Sequence, residues 1–318
     1  MLYSTILIDV FNLIHKKKEK ETDAKNIANS VIDFIETVIK PKLENTESKL
    51  YLLFDPMPVS DLNISNQFRT FTTTRNTIKS TYKAKREKDP IIIEVADFLL
   101  KYFSYRDPAY YLVISEKHEA DDFVESLVKD SGKTLLISSD FDWARYLSSE
   151  VSMSTGDINQ PFTTSDFIEK FGYLPSIKNV TVNKALFGDP SDNIDGLFSS
   201  KFKYKELGEQ AMAFISKTDE NLNDFVGRIK AYTFKQLFEL KVRNPEEELF
   251  YQINCFEKKN LTTQFFLNIA LVRSLCSDAN KFVKHFSKRD NGFCTLIDKT
   301  LSRGESKKNT FRFGKVKI

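Results

Sequence analysis

Cysteine is scarce in this chain. Its three copies, Cys255, Cys276 and Cys294, are far apart, odd in number and without the paired spacing of a zinc site. That excludes a disulfide framework and a cysteine-held metal, and leaves buried free thiols. Long apolar runs are also missing, so no stretch is predicted to span a bilayer. Met1 to Asp9 reads directly as a strand, without the charged, apolar and cleavage regions of a secretory signal. The expectation is a cytoplasmic protein with no membrane attachment. Histidine is sparse as well: His15, His118 and His285 are scattered, so no histidine base is expected, and His118 reads as a neighbour of an acidic helix. Neither charge sign dominates, with 47 Lys and Arg against 44 Asp and Glu and a net charge of +3. The total therefore says little, and the separation of the signs along the chain says more.

What the chain does have is carboxylates in short words. Glu119-Ala120-Asp121-Asp122, Asp140-Phe141-Asp142 and Gly188-Asp189-Pro190-Ser191-Asp192-Asn193 recur along it, and two strand-like runs end at Asp9 and Asp55. If these acids converge without cations, they repel one another and raise their own pKa values. A shared cluster of divalent ions is the less costly arrangement. A lone acid at a helix start is more often a cap or a dipole partner, so the inference rests on the whole set.

The first half alternates strand and helix. Ile6-Leu7-Ile8, Leu50 to Phe54, Tyr110 to Ile114 and Thr134 to Ile137 are continuous apolar runs, as expected of strands buried on both faces of a parallel sheet. Ile27, Ala28, Val31, Ile32, Ile35, Val38 and Ile39 recur at helical spacing before Pro41, and Glu119 to Lys129 forms an amphipathic helix. In such sheets functional groups gather past the carboxyl ends of the strands. Asp9, Asp55, Asp140 and Asp142 occupy that position, and Glu119 and Asp122 share a helix face whose first turn lies at the same edge. The predicted fold is α/β, a central parallel sheet with helices on both faces, followed by a helical C-terminal extension. The expected divisions are a core over 1–175 with a basic segment at 61–90, a helical region over 176–300 and a basic tail over 301–318.

The three acidic words, in this order and at these separations, resemble the flap endonuclease or 5′-nuclease superfamily. Within it, the likeness is to bacteriophage 5′ to 3′ exonucleases and the phage ribonuclease H that removes RNA primers. It covers about residues 1–200, and the six-residue word from Gly188 to Asn193 is its most specific part. The resemblance implies a PIN-like core in which Asp9, Asp55, Glu119, Asp121 and Asp122 surround one metal ion, and Asp140, Asp142, Asp189 and Asp192 a second. Oxygen ligands suit Mg²⁺ or Mn²⁺. Two ions about 3.5 to 4 Å apart would activate water and relieve charge on the leaving oxygen.

Between Asp55 and Glu119 the chain is basic, with Arg69, Arg75, Lys79, Lys83, Lys85, Arg86 and Lys88 interleaved with Phe68, Phe71 and Tyr82. The resemblance implies a helical arch here, with Lys83 and Arg86 gripping the scissile phosphate as catalytic groups. Arg69, Arg75, Lys79 and Lys85 would contact nucleic acid, and Tyr82 would stack on an unpaired base. A solvated charged helix is the plainer alternative. The family's Gly-Ile-Gly-like turn, which holds a monovalent cation, has no counterpart after Leu197, which puts that cation in doubt. Lys201, Lys203 and Lys205 are the candidate phosphate contacts instead, against an ordinary polar loop. The tail Ser302 to Ile318 carries Arg303, Lys307, Lys308, Arg312, Lys315 and Lys317 against Glu305. It reads either as solubilising or as a dock for DNA, a sliding clamp or a single-strand DNA-binding protein.

The resulting expectation is a monomeric, metal-dependent 5′-nuclease for branched or nicked duplex DNA and RNA-DNA hybrids in phage-type replication or repair, located in the host cytoplasm if phage-encoded. A PIN-type single-strand ribonuclease and a catalytically silent junction-binding protein are the alternatives.

Overall fold

The four apolar runs and a fifth, serine-laced segment form one parallel sheet. The computed structural model describes residues 2–56, 74–83, 89–104, 110–115, 118–129, 131–197, 205–231, 244–247 and 260–275. Strands β1 (Thr5–Asp9), β2 (Lys49–Leu53), β3 (Tyr110–Val113), β4 (Thr134–Ile137) and β5 (Val151–Ser154) lie in the order β3-β2-β1-β4-β5. All neighbouring pairs are parallel, with Ile8 opposite Leu52 and Ile137, and Leu53 opposite Val113. This register brings the carboxyl ends of the strands to one edge. The winding starts in the middle of the sheet and reverses between β1 and β4, and a crevice opens at such a reversal.

Continuous apolar runs were needed because both faces are covered. Ile6, Ile8, Leu50, Leu52, Phe54, Leu112, Leu135 and Ile137 pack with α1 (Val10–Lys18), α2 (Ala24–Asp33) and α4 (Pro90–Ser104). The alternate residues Leu7, Tyr51, Leu53, Val113, Leu136 and Met153 pack with α5 (Ala120–Val128), a 3₁₀ turn at Phe141–Tyr146 and α6 (Thr164–Phe171). The helical period ending near Pro41 is present, but it leaves α2 through a π-helical turn at Phe34–Ile39 and a 3₁₀ turn at Lys40–Lys42. Strand β5 escaped the sequence reading because Ser152 and Ser154 interrupt its apolar pattern at the edge of the sheet.

Beyond the sheet, α7 (Ile177–Phe187) joins two cores. Val180 packs under the sheet, whereas Val182, Ala185 and Leu186 pack with α8 (Lys205–Ile215), α9 (Leu222–Ala231) and α10 (Asn260–Val272). Phe265, Ile269 and Leu271 are buried. Phe234, Leu237, Phe238, the three cysteines and the tail over 301–318 lie outside the described residues. Among the described residues no helix is long and apolar enough to cross a membrane.

Helix α7 leads into a two-stranded ribbon, β6 (Gly188–Asp189) paired with β7 (Ile194–Asp195), which carries two of the predicted metal acids. At its open end, where Gly188 faces Gly196, the two segments are too close for a side chain. Gly188 has φ 82°, and a Cβ there would lie 2.4 Å from the Gly196 nitrogen; a Cβ on Gly196 would lie 2.2 Å from the Phe187 carbonyl oxygen. Buried Asn268 of α10 fixes the ribbon from behind by donating to the carbonyls of Ala185 (2.9 Å) and Asp195 (2.8 Å). Gly196→Ala should therefore lower unfolding free energy by about 2 kcal/mol. Gly227→Ala, in α9 with nothing within 4 Å of the added methyl, should raise it by up to about 1 kcal/mol. Denaturant melts of the two variants against wild type check the pair.

Candidate metal centre

The acids reach one edge because each is built into a strand end or a helix start. Asp9 ends β1 and caps α1: its Oδ1 accepts from the Asn12 amide (3.0 Å) and its Oδ2 from the Ser138 hydroxyl beyond β4 (3.0 Å). Asp55, two residues past β2, accepts from the Ala120 amide at the start of α5 (2.9 Å). Glu119 is the N-cap residue of α5, and Asp122 accepts from the Glu119 amide (3.0 Å). Asp140 caps the 3₁₀ turn through the Asp142 amide (2.9 Å), and Asp189 accepts from the Ser191 amide (2.9 Å). Unpaired amides at helix starts favour carboxylates.

Convergence is closest at Asp142, Asp189 and Asp192, where one oxygen from each lies within 4.8 Å of the others. At an effective dielectric of 20, each such pair of charges repels by at least about 3.5 kcal/mol at 4.8 Å. Three pairs come to roughly 10 kcal/mol, as much as the net stability of a typical domain. The cluster therefore depends on cations. Lys184 supplies one, bridging Asp142 and Asp189, the latter at 2.6 Å. Buried Arg145 adds another 3.2 Å from Asp142. On the other side of the crevice, Arg75 meets Glu119 (3.0 Å), Asp121 (3.4 Å) and Asp122 (2.7 Å), and Lys83 meets Glu119 (2.7 Å). The Tyr82 hydroxyl lies between the two groups, 3.2 Å from Glu119 and 3.1 Å from Asp192.

The internal cations do not serve all the acids equally. Burial, reinforced by Asp55 and Asp140, pushes the Asp9 carboxyl up to about 7. Burial and the neighbouring Asp142 push Asp140 to about 6, and burial also raises Asp55. Asp121 goes the other way, because Arg75, Lys83, Arg145 and Lys184 outweigh its burial. Asp189 is likewise held low by Lys184 and by hydrogen bonds from Lys184 and Ser191, despite its burial. Burial likewise pushes Asp122 up to about 7 despite Arg75, so the buried acids ionise fully only when further positive charge reaches them, and every donor in the set is a carboxylate oxygen. That chemistry fits a hard divalent cation.

Two residues of the basic segment are not placed as predicted. Arg75, in the short helix α3 (Thr74–Ile78), and Tyr82 are 1% and 2% exposed, so neither faces a nucleic-acid surface. Arg75 is buried because its charge offsets the acids it meets, and Tyr82 is buried with its neutral hydroxyl against Glu119 and Asp192. Lys79 donates to the Asn193 carbonyl (2.8 Å) and pairs with Asp195 (3.2 Å). Lys83 is held at φ 51°, rare for a residue with a side chain, and its amide donates to the Asp192 carbonyl (3.2 Å). Arg69, Lys85, Arg86, Lys201 and Lys203, and the side chain of Lys205, lie outside the described residues. His118 neighbours the acidic helix, its Nδ1 3.2 Å from the Ser115 hydroxyl. Sequence reading missed Arg145 and Lys184. Their available signal was position: Arg145 follows Asp142 by one 3₁₀ turn, and Lys184 sits in the last turn of α7, five residues before Asp189.

A pH dependence follows. Asp9 and Asp140 keep protons in the folded state at pH values where an unfolded carboxyl, near 3.8, has lost them. The folded protein then binds more protons than the unfolded chain, so these two groups make metal-free stability fall as pH rises from about 4 to about 7. Melting curves across that range should show the fall, and millimolar Mg²⁺ should reverse it most strongly above pH 7.

No family model matches the chain, and no curated protein matches it. Solved structures do. The bacteriophage T5 D15 protein co-crystallised with metal ions is similar at 15% identity and TM-score 0.56, over 94% of this chain and 98% of that one. The T5 5′-exonuclease with bound zinc is similar at 17% identity and TM-score 0.55, over 94% and 98%. A pseudo-enzyme-product complex of the T5 D15 flap endonuclease with DNA and metal ions is similar at 17% identity and TM-score 0.53, over 95% and 99%. The chain therefore shares its fold with these T5 D15 and T5 5′-exonuclease structures.

Proposed function

We propose that this protein is a divalent-metal-dependent, structure-specific 5′-nuclease that hydrolyses phosphodiester bonds in branched or nicked duplex DNA and RNA-DNA hybrids, leaving 5′-phosphate products. The observation that carries the reading is the convergence of Asp142, Asp189 and Asp192 beside Asp9, Asp55, Glu119, Asp121, Asp122 and Asp140 at the carboxyl edge of a 5′-nuclease-type sheet. Phage-type replication or repair is the setting that the motif resemblance favours.

In this reading Asp140, Asp142, Asp189 and Asp192 hold one ion, and Asp9, Asp55, Glu119, Asp121 and Asp122 another. Their oxygen-only donors suit Mg²⁺ or Mn²⁺. Such ions supply a water that is deprotonated near neutral pH and relief of charge on the leaving oxygen. The chain supplies the rest. Lys83, 2.7 Å from Glu119 and charged at all working pH values because Glu119, Tyr82 and Asp192 outweigh its burial, places an ammonium donor beside the acids. We assign it to a non-bridging phosphate oxygen, with Arg86 as its partner in the same role. Burial of Glu119, Asp122 and Asp192 keeps bulk water from screening these charges. Lys79 tethers the basic segment to the ribbon that carries Asp189 and Asp192.

A labelled 5′-flap DNA, an RNA-DNA hybrid and a single-stranded RNA, each incubated with Mg²⁺ or with chelator, test the proposal. Cleavage near the junction or the 5′ end, absent in chelator and at least about a hundredfold slower in Asp192→Asn, is expected. Preferred cutting of single-stranded RNA would point to a PIN-type ribonuclease. Tight junction binding with no cleavage would leave a binding protein.

A further inference from the structure

The guanidinium of Arg75 has no hydrogen left for a phosphate. Its Nε donates to the Leu271 carbonyl (2.7 Å); its Nη1 faces Glu119 Oε2 (3.0 Å), Asp121 Oδ1 (3.4 Å) and Asp122 Oδ2 (3.1 Å); its Nη2 faces Asp122 Oδ1 (2.7 Å) and the Arg273 carbonyl (3.2 Å). Five N–H groups thus meet six oxygens inside the protein. Arg145 completes the arrangement: its Nε donates to the Asp142 carbonyl (2.6 Å) and its Nη1 to the Val272 carbonyl (2.7 Å). Between them the two arginines take the carbonyls of residues 271, 272 and 273 at the C-terminal end of α10, where the last carbonyls of a helix need partners from outside it. From the other side, the Ser274 hydroxyl donates to the Asp122 carbonyl (2.9 Å) and the Leu275 amide to Asp122 Oδ1 (2.9 Å).

We infer that Arg75 and Arg145 are positioning residues that lock the C-terminal end of α10 into the acidic cluster, so that the remote helix holds Asp121, Asp122 and Asp142 in place for metal. This rests on the nuclease reading, in which those acids are ligands. The device suits arginine. A guanidinium is a planar fork that stays charged, and it spans two peptide carbonyls and a carboxylate at once. A lysine keeps the charge on one nitrogen and cannot span them. The same residue belongs to α3, so the basic segment, the acidic helix α5 and α10 meet at a single side chain. Partial neutralisation by fixed cations keeps the acids gathered before metal arrives, and the unequal compensation leaves room for an ion.

The test uses the full-length protein and the variants Arg75→Lys and Ser274→Ala, with two readouts. The first is the Mg²⁺ concentration giving half the maximal rise in Tm, measured without DNA. The second is affinity for a 5′-flap DNA in Ca²⁺, with its salt dependence. Arg75→Lys should need at least tenfold more Mg²⁺, and Ser274→Ala about threefold more, while DNA affinity stays within about twofold and the salt slope is unchanged. Unchanged Mg²⁺ dependence in both variants overturns the inference. So does a tenfold loss of DNA affinity in Arg75→Lys with the salt slope smaller by about one, the signature of a phosphate contact. Should Arg75→Lys fail to fold, the Ser274→Ala midpoint decides. A wild-type protein whose Tm ignores Mg²⁺ overturns the metal reading and this one together, whereas a responsive wild type with equally responsive variants overturns only this one.

Discussion

Charge compensation inside the crevice is the constraint on which the rest of this structure depends. The sheet delivers acids from β1, β2, β4 and α5 to one edge, and the ribbon after α7 adds two more. Their mutual repulsion rivals the stability of a domain, so they can stay together only with cations among them. Arg75, Lys83, Arg145 and Lys184 provide these, each within salt-bridge distance of at least one acid. Removing one member of such a buried set typically costs about 3 to 5 kcal/mol, because the remaining charge is left unpaired.

The placement of these cations explains the architecture around the crevice. Arg75 and Lys83 stand at the two ends of a ten-residue stretch, 74–83, that crosses from the acids of α5 to the ribbon. Asn193 returns the contact by donating to the Thr81 carbonyl (2.9 Å). Helix α10 closes the other side, with Asn268 on the ribbon and its last carbonyls on the two arginines. The helical region after residue 176 is therefore not an appendage to the acidic site. It supports both groups of acids from behind.

Much of this was legible in the sequence, for physical reasons. Strands buried on both faces must be apolar throughout, so Ile6-Leu7-Ile8 and Leu50 to Phe54 declare themselves, and the acid that ends each run marks the functional edge. Strand β5 was not legible because its serines give no continuous run. The fate of Arg75 was hidden more deeply. Among basic neighbours it reads as a surface contact, but its partners Asp122 and Leu271 lie 47 and 196 residues away along the chain. Only the fold brings them together. Lys184 and Arg145 were hidden in the same way, since a single basic residue near an acidic word looks like ordinary surface charge.

The most direct measurement is anomalous scattering from crystals of the protein grown with saturating Mn²⁺. The expected result is a Mn²⁺ peak bound by oxygens of Asp142, Asp189 and Asp192, with the Lys184 ammonium withdrawn from Asp142 and Asp189, and with Arg75 still on Asp122 and the α10 carbonyls. A map with Lys184 unmoved between its two carboxylates and no anomalous peak in the crevice would contradict it, and would mean that the internal cations complete the cluster by themselves.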